Sequence, residues 1–286
     1  MPLSSPLSAT GSKSISDAEL AAHAREIRKA ALRMSFESHT SHIGCALSFA
    51  DILATLYFRV LRLDPGDPKA PERDRVILSK GHGVVGLYAA LGERGFFPRE
   101  RYGEYCREGS VMASHIVRGA VPGAETSGGS GGHGLSLGVG MALALKQQGL
   151  PSRVFVVSGD GEIEEGSVWE AALFAGVHRL SNLILVIDHN HLQDGTDGSH
   201  IEQILDLAPL DRKFEAFRWS ADVVDGHDYG ALAQSLSRPT DGPHVVIAHT
   251  VKGKGVGFME GDGLWHGKVP SRQEYEVAIK ELDHAF

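Results

Sequence analysis

Two apolar segments, each running into a polar cluster, constrain this chain more than any other feature. The segment VFVVSG runs into Asp160, and the segment LILVID runs into Asn190, thirty positions after that aspartate. A helical pattern, GSVWEAALFAG, connects them, so the two strands are expected to be parallel and joined by a right-handed crossover. The alternation of strands and helices along the rest of the chain predicts an α/β fold, a parallel sheet with helices on both faces.

The two polar clusters predict a ligand site. Asp160 and Asn190 would both project from the carboxyl ends of parallel strands, where open α/β sheets bind ligands. One carboxylate and one carboxamide form a pair of hard oxygen ligands that suits Mg²⁺ or Ca²⁺, and Mg²⁺ completes its octahedron with phosphates and water. A metal-bridged diphosphate is therefore one reading. The alternative is that Gly-Asp-Gly is only a strand-to-helix turn with a capping aspartate.

Composition and charge restrict the class of protein. The net charge of −8 over 286 residues disfavours a general nucleic-acid binder. The chain contains no apolar run near the roughly 20 residues of a membrane span, and its first residues lack the apolar region of a secretory signal. The two cysteines, Cys45 and Cys106, make no disulfide framework. A cytoplasmic protein that does not act on membranes is expected.

The pattern along the chain predicts a flexible N-terminal tail, residues 1–16, and a single domain, residues 17–286. A first helix is expected to begin at Asp17, and a second helix over residues 48–61 is expected to be capped by Ser48. Residues 109–134 read as a long irregular loop. A loop of that length inside a compact domain is usually functional or disordered.

Several segments in this order resemble the transketolase family. They are SHIGCALSFADIL, RDRVILSKGHG, VPGAETSGGSGGHGLSLGVGMALALK, GDGEIEEGSVWEAALFAG, HTVKGKGVGF and WHGKVP, and the resemblance covers roughly residues 18–284. It implies a thiamine diphosphate-binding fold, with thiamine diphosphate and Mg²⁺ (or Ca²⁺) as cofactors. The implied activity is transfer of a two-carbon ketol unit from a ketose phosphate to an aldose phosphate.

The resemblance also implies roles for particular residues. Histidine suits proton transfer at neutral pH, because its ordinary pKa lies near 6.5. A single histidine taken alone would more often be structural, so the assignment depends on the ordered family segments. The implied catalytic residues are His42, His82, His115, His266 and Glu165; the implied cofactor-binding residues are His82, Gly129, Ser130, Gly131, Gly161, Asn190 and His266; and the implied metal ligands are Asp160, Asn190 and the carbonyl of Leu192. Glu165, with Glu170, matches glutamates at a subunit interface, whereas on physical grounds both could be solvated residues of a helix start.

Two positions depart from the family pattern. Gly128 stands where a threonine is usual, and Gly131 stands where a leucine packs beside the cofactor's reactive ring. The missing side chain would open space near that ring, so the donor pocket is expected to differ. His189 and His191 flank the asparagine, and they are interpreted as loop residues rather than zinc ligands because no cysteine or acid cluster accompanies them.

No segment resembles the pyrimidine-binding domain that supplies the family's activating glutamate. The resemblance therefore implies the N-terminal subunit of a split transketolase. A separate C-terminal subunit would carry the pyrimidine-binding domain, in an α2β2 heterotetramer acting on sugar phosphates. Three alternatives stay open: a specialised donor or a non-sugar acceptor, another thiamine enzyme such as 1-deoxyxylulose-5-phosphate synthase, and a non-catalytic regulatory subunit that keeps the fold.

Overall fold

A parallel sheet forms the centre of the protein. The computed structural model describes residues 15–193 and 204–284, and within them five strands hydrogen-bond in the order β1-β2-β3-β5-β4, with every pair parallel. The strands are β1 (Arg75–Leu78), β2 (Val154–Gly159), β3 (Leu183–His189), β4 (Ser220–Asp225) and β5 (His244–His249). The expected parallel α/β fold is confirmed.

The inner strands are apolar on both sides because helices cover both faces of the sheet. All six residues of β2 are buried, as expected for a strand of a covered parallel sheet. Alternate side chains enter different cores: Phe155 and Val157 pack into one apolar cluster, and Val154 and Val156 pack into the other. The edge strand β4 is only partly buried. The register pairs Gly159 with Asp188, so β2 and β3 end side by side.

Helices connect the strands and cover both faces of the sheet. Ser16 caps the first helix in a capping box with Glu19, which fixes its start at the predicted position. The α-helices are α1 (Asp17–Ser38), α2 (Ile43–Ser48), α3 (Ala50–Thr55), α4 (Val84–Arg94), α5 (His133–Gln147), α6 (Gly166–Val177), α7 (Leu210–Ala216), α8 (Tyr229–Ser237) and α9 (Arg272–His284). Helix α3 continues into a π-helical turn, Leu56–Val60, and 3₁₀ turns occupy Gly81–Gly83, Arg99–Glu104, Gly161–Glu164 and Gly263–His266.

The prediction that Ser48 caps the second helix is wrong. A helix is already formed at Ile43, and Ser48 is the last residue of α2. Its hydroxyl donates hydrogen bonds to the carbonyl of Cys45 and, at 2.6 Å, to Oδ2 of Asp188. A buried carboxylate has therefore recruited the serine that local sequence would assign to a helix start.

Other expectations about organisation fare differently. Residues 109–132 form irregular turns up to the start of α5, as predicted for the long loop. Of the predicted tail, residues 1–14 lie outside the described residues. None of the helices in the described ranges has the length and apolar character that crossing a membrane requires.

Candidate functional site

A cavity of about 230 Å³ opens at the carboxyl ends of β2 and β3. This is the edge at which parallel α/β sheets bind ligands. The cavity brings together most of the predicted site residues with several that sequence reasoning did not single out. Its lining consists of Cys45, Lys80, His82, Gly131, Gly159, Asp160, Gly161, Glu162, Glu165, Asn190, Leu192, Gln193, Lys252 and His266.

Asp160 is a buried carboxylate at the end of β2. Its Oδ1 accepts a hydrogen bond from the backbone N–H of Gly161 at 2.9 Å, and its Oδ2 accepts one from the backbone N–H of His191 at 2.6 Å. Burial and the nearby charge of Asp188 nevertheless raise its pKa to about 6. A cation placed against this carboxylate would stabilise its charged form. The environment of Asp160 therefore fits a metal ligand.

Asn190 and Leu192 complete the predicted set of oxygen donors. The backbone N–H of Leu192 donates to Oδ1 of Asn190 at 3.1 Å, so the residues after β3 form a tight turn. The carbonyl of Leu192 accepts a 3.1 Å hydrogen bond from Nζ of Lys252. A carboxylate, a carboxamide and a backbone carbonyl on one cavity form an all-oxygen donor set, which suits Mg²⁺ or Ca²⁺.

A buried ion pair lies beneath the cavity, and sequence reasoning missed it. Lys80 forms an ion pair with Asp188, and both side chains are buried. Burial alone would raise the pKa of Asp188, but Lys80 and the hydroxyls of Ser48 and Thr250 hold that pKa below its ordinary value. The pair joins the ends of β1 and β3. The only sequence signal was position: Lys80 directly precedes the Gly-His pair of SKGHG, and Asp188 begins DHN.

Lys252 is a second buried cation that the sequence did not single out. Its Nζ lies 3.1 Å from Nδ1 of His266 and donates to the carbonyl of Leu192. Burial and the repulsion of Lys80 lower its pKa, against the opposing influence of nearby anionic groups. A buried ammonium at a cavity wall is positioned to bind an anion such as a phosphate. The segment HTVKGKG contained this lysine, but a lysine in a glycine-rich loop is usually solvated.

The four predicted catalytic histidines come together at the cavity. The ring centroids of His42, His82 and His266 lie 5.1–5.4 Å from one another, and that of His115 lies 6.5 Å from His42. Burial and the nearby Lys80 lower the pKa of His82 to about 4. Burial and the nearby Lys252 lower the pKa of His266 to about 3. Both imidazoles are therefore neutral at pH 7, and each has one N–H donor and one acceptor nitrogen.

The glycine-rich loop before α5 is fixed to the sheet by Glu162. Its Oε1 accepts hydrogen bonds from the backbone N–H of Gly132 at 2.8 Å and from the hydroxyl of Ser79, and its Oε2 accepts one from the hydroxyl of Ser158 at 2.7 Å. Glu162 is a positioning residue that sequence reasoning missed. It lies two residues after Asp160, where it reads as an ordinary acidic residue of a helix start.

The remaining predicted residues lie around this loop. A Cβ added to Gly81 would lie 2.9 Å from the backbone nitrogen of Gly129, so the loop passes directly against the turn that carries His82. Gly131 lines the cavity, and Ser130 is exposed. Glu165 also lines the cavity, and Glu170 is exposed on α6. The exposure of the two glutamates agrees with either a subunit interface or a solvated helix.

Comparisons with known proteins identify relatives of this architecture. Residues 20–283 match the family model described as transketolase, thiamine diphosphate binding domain. The chain is 42% identical over 267 residues to one of the named subunits of the apulose-4-phosphate transketolase of Actinobacillus succinogenes, over 92% of this chain and 96% of that one. It is 39% identical over 268 residues to the 6-deoxy-6-sulfo-D-fructose transketolase subunit of Clostridium sp. strain MSTE9, over 93% and 96% of the two chains.

A solved structure shows the same fold in a longer protein. The crystal structure of transketolase from Campylobacter jejuni superposes with a TM-score of 0.86 at 26% identity, over 94% of this chain but only 43% of that one. The chain thus spans less than half the length of that transketolase and nearly the whole length of the two subunits named before it.

The fold and the site define an α/β protein in which a polar cavity with acidic, amide and cationic groups lies at the carboxyl ends of parallel strands. Within that class, the chain belongs to the transketolase family and carries its thiamine diphosphate-binding domain. The resemblance noted from the sequence is confirmed.

Proposed function

We propose that this chain, as a single domain over residues 17–286, is the N-terminal subunit of a two-component transketolase. It would bind thiamine diphosphate and Mg²⁺ and, with a separate subunit that carries the pyrimidine-binding domain, transfer a two-carbon ketol unit between sugar phosphates. The observation that carries the proposal is the convergence of the predicted oxygen donors and histidines on one cavity.

The metal and the diphosphate would be held by different groups of the cavity. Asp160, Asn190 and the carbonyl of Leu192 would bind the metal, because their oxygens suit a hard cation and a cation would favour the charged form of Asp160, whose pKa burial raises. Lys252, together with His82 and His266, would donate hydrogen bonds to the phosphate oxygens. Gly161 would contact the diphosphate through its backbone N–H.

The protein's part in the reaction is to position groups and move protons. When bound, thiamine diphosphate supplies the carbanion chemistry that breaks and forms the carbon–carbon bond. His42, His82, His115 and His266 would bind sugar hydroxyls and transfer protons at them. Because His82 and His266 are neutral at pH 7, each can accept a proton at one nitrogen while it donates at the other.

The size of the cavity supports a site completed by a partner. Sites for drug-sized ligands occupy about 300–1,000 Å³, so 230 Å³ accommodates only part of such a cofactor. The diphosphate end would lie in this chain, and the remainder would lie against the second chain. The match in length to two transketolase subunits agrees with this division.

An exposed apolar surface next to the cavity supports the partner proposal. Helices α5 and α6 pack against each other and present Leu137, Leu173, Phe174 and Val177, each 42–57% exposed. Apolar clusters of this kind on a globular domain mark protein interfaces. Glu165 and Glu170 lie at or on α6, which agrees with their expected interface role. An α2β2 heterotetramer would bury this surface.

A second candidate keeps the cofactor and changes the donor. The two relatives named above carry the names of apulose-4-phosphate and 6-deoxy-6-sulfo-D-fructose transketolases. Gly131 leaves the cavity wall open, since a Cβ there would contact nothing closer than 3.8 Å. A specialised ketose donor would occupy the space that a leucine takes in the usual family pattern.

The experiment is a ketol-transfer assay of this chain alone and mixed with the product of a neighbouring reading frame. Ribose 5-phosphate serves as acceptor, and the donors are xylulose 5-phosphate, apulose 4-phosphate and 6-deoxy-6-sulfofructose. Activity only in the mixture supports the split enzyme, and the ranking of kcat/KM among donors decides between the two candidates. Calorimetry with thiamine diphosphate and Mg²⁺ on the mixture adds a binding readout. Absence of both binding and activity would favour a regulatory subunit.

A further inference from the structure

Three histidines outside the cofactor cavity come together at the carboxyl ends of β3 and β5. His189 is the last residue of β3, His249 is the last residue of β5, and the two are paired in register. His191 follows two positions after His189 and has a left-handed backbone, with φ 64°. The ring centroids lie 4.0 Å apart for His189 and His191, 4.8 Å for His189 and His249, and 5.2 Å for His191 and His249.

The ring nitrogens converge as well as the rings. One nitrogen from each imidazole lies within 4.8 Å of the other two, and Nε2 of His191 is 3.0 Å from Nδ1 of His249. With zinc–nitrogen bonds of about 2.0–2.1 Å, two nitrogens of a tetrahedral site lie about 3.3 Å apart. The nitrogens therefore need to shift by at most about 1.5 Å to share one ion, a movement within the reach of ring rotations.

We propose that His189, His191 and His249 form a second metal site, which binds zinc or a similar divalent transition metal. Imidazole nitrogens suit Zn²⁺, Cu²⁺ and Ni²⁺, whereas the oxygens of Asp160 and Asn190 suit Mg²⁺ or Ca²⁺. The two sets of ligands thus select different ions although they are adjacent in the chain. Three protein ligands leave a fourth tetrahedral position for water or another small ligand.

Solvent can reach the three histidines. His249 is exposed, and His189 and His249 line a second cavity of about 250 Å³ on which Asp160 also borders. The sequence alone gave no reason to expect this site, because His189 and His191 form only a pair and His249 lies 58 residues after His191. The pairing of β3 with β5 supplies the third imidazole.

The proposed site is mechanically linked to the oxygen donors. His189 and His191 flank Asn190, and the backbone N–H of His191 donates to Oδ2 of Asp160. An ion held by the three imidazoles would fix the backbone that positions both oxygen ligands. Zinc is therefore expected to raise the melting temperature of the chain, and a chain without His249 should show no such rise.

The test is a zinc titration of the tag-free full-length chain, cleared of metal with a chelator and kept in saturating Mg²⁺. Calorimetry should give one zinc ion per chain, and Co²⁺ should give the visible absorption of a tetrahedral nitrogen-ligated ion. His249→Ala should weaken zinc binding at least about tenfold, as losses of metal-site residues do. His178→Ala removes an exposed histidine directly after α6 and should change nothing.

Two further variants keep the proposal falsifiable. His191→Gln should also weaken zinc binding, and circular dichroism checks that each variant is folded. Asp160→Asn should retain zinc binding, because the ion is proposed to sit on the imidazoles. Absence of 1:1 binding, unchanged affinity in His249→Ala, or loss of zinc in Asp160→Asn alone would overturn the proposal. None of these readouts depends on transketolase activity.

Discussion

The backbone N–H of His191 donates a 2.6 Å hydrogen bond to Oδ2 of Asp160. This bond joins the turn after β2 to the turn after β3, the two positions at which apolar strands run into polar clusters. It fixes the aspartate beside Asn190 and Leu192, and it leaves the carboxylate buried with a pKa raised to about 6. The arrangement is stable as a scaffold and still electrostatically suited to accept a cation.

Replacing Asp160 tests the proposed metal site. Asp160→Asn keeps the side-chain shape but removes the charge, so thiamine diphosphate should bind at least about 100-fold more weakly in the presence of Mg²⁺ and the partner, since even indirect metal-site losses reach that size. Calorimetry measures the affinity. Asp225→Asn, an exposed aspartate at the end of β4, is the matched control and should bind normally. Equal affinities would contradict a metal role for Asp160.

Replacing Lys252 tests the proposed phosphate contact. Lys252→Gln retains a hydrogen-bond donor but removes the buried charge, so affinity for the cofactor should fall about 10- to 100-fold, the range of one charge-assisted hydrogen bond. Inorganic diphosphate, used as a competitor, should lose affinity by a similar factor. Lys254→Gln removes a half-buried lysine two positions later and should have no effect. A normal diphosphate affinity in Lys252→Gln would assign this lysine to structure alone.

Restoring the family's usual leucine tests the donor pocket. A side chain at Gly131 would meet Glu162 and Glu165 only at 3.8 Å, so Gly131→Leu should fold normally. If the open wall serves a larger or unusual donor, the kcat/KM ratio between that donor and xylulose 5-phosphate should shift at least about tenfold toward the latter. Gly103→Leu, at a distant glycine with open space around it, is the control. An unchanged ratio would remove Gly131 from donor selection.

The sequence predicted the site best where motif and topology agree. The spacing from Asp160 to Asn190 was enough to place both residues at neighbouring strand ends, and register pairing confirms that placement. Lys80, Glu162 and Lys252 were missed because lysine and glutamate are usually exposed, and only the folded chain shows what they bind. Ser48 was misassigned for a related reason: its partner, Asp188, lies 140 residues away.

A buried carboxylate cluster should dominate the stability of the helical layer. Asp51 accepts hydrogen bonds from both terminal nitrogens of Arg28, at 3.0 and 2.6 Å, and it also contacts His227 and Tyr229. Asp51→Asn would leave the Arg28 charge uncompensated, which should lower the free energy of unfolding by about 3–5 kcal/mol. Asp283→Asn removes an exposed partner of Lys29 and should cost less than about 1 kcal/mol. Urea denaturation measures both.

The same cluster sets a dependence on pH. Burial alone would raise the pKa of Asp51, but Arg28, His227 and Tyr229 hold it well below its ordinary value. Its folded-state pKa is depressed, so its contribution is present above the unfolded pKa of about 3.9 and is lost as the pH falls below that value. The stability difference between wild type and Asp51→Asn should therefore shrink below about pH 4. A difference that stays constant down to about pH 2 would contradict this account.

Charge on the exposed apolar surface should block assembly without disturbing the fold. Val177 is 57% exposed at the end of α6, so Val177→Asp should leave the melting temperature of the isolated chain nearly unchanged. If the partner covers this surface, the new carboxylate would be buried unpaired, and affinity for the partner should fall by about 100-fold or more. Val277→Asp, at a 40% exposed valine on α9, supplies the same charge elsewhere. Sedimentation of each variant with the partner measures assembly. Equal assembly of the two variants would place the interface away from α6, whereas selective loss in Val177→Asp would also explain why the cavity beside it is too small for the whole cofactor.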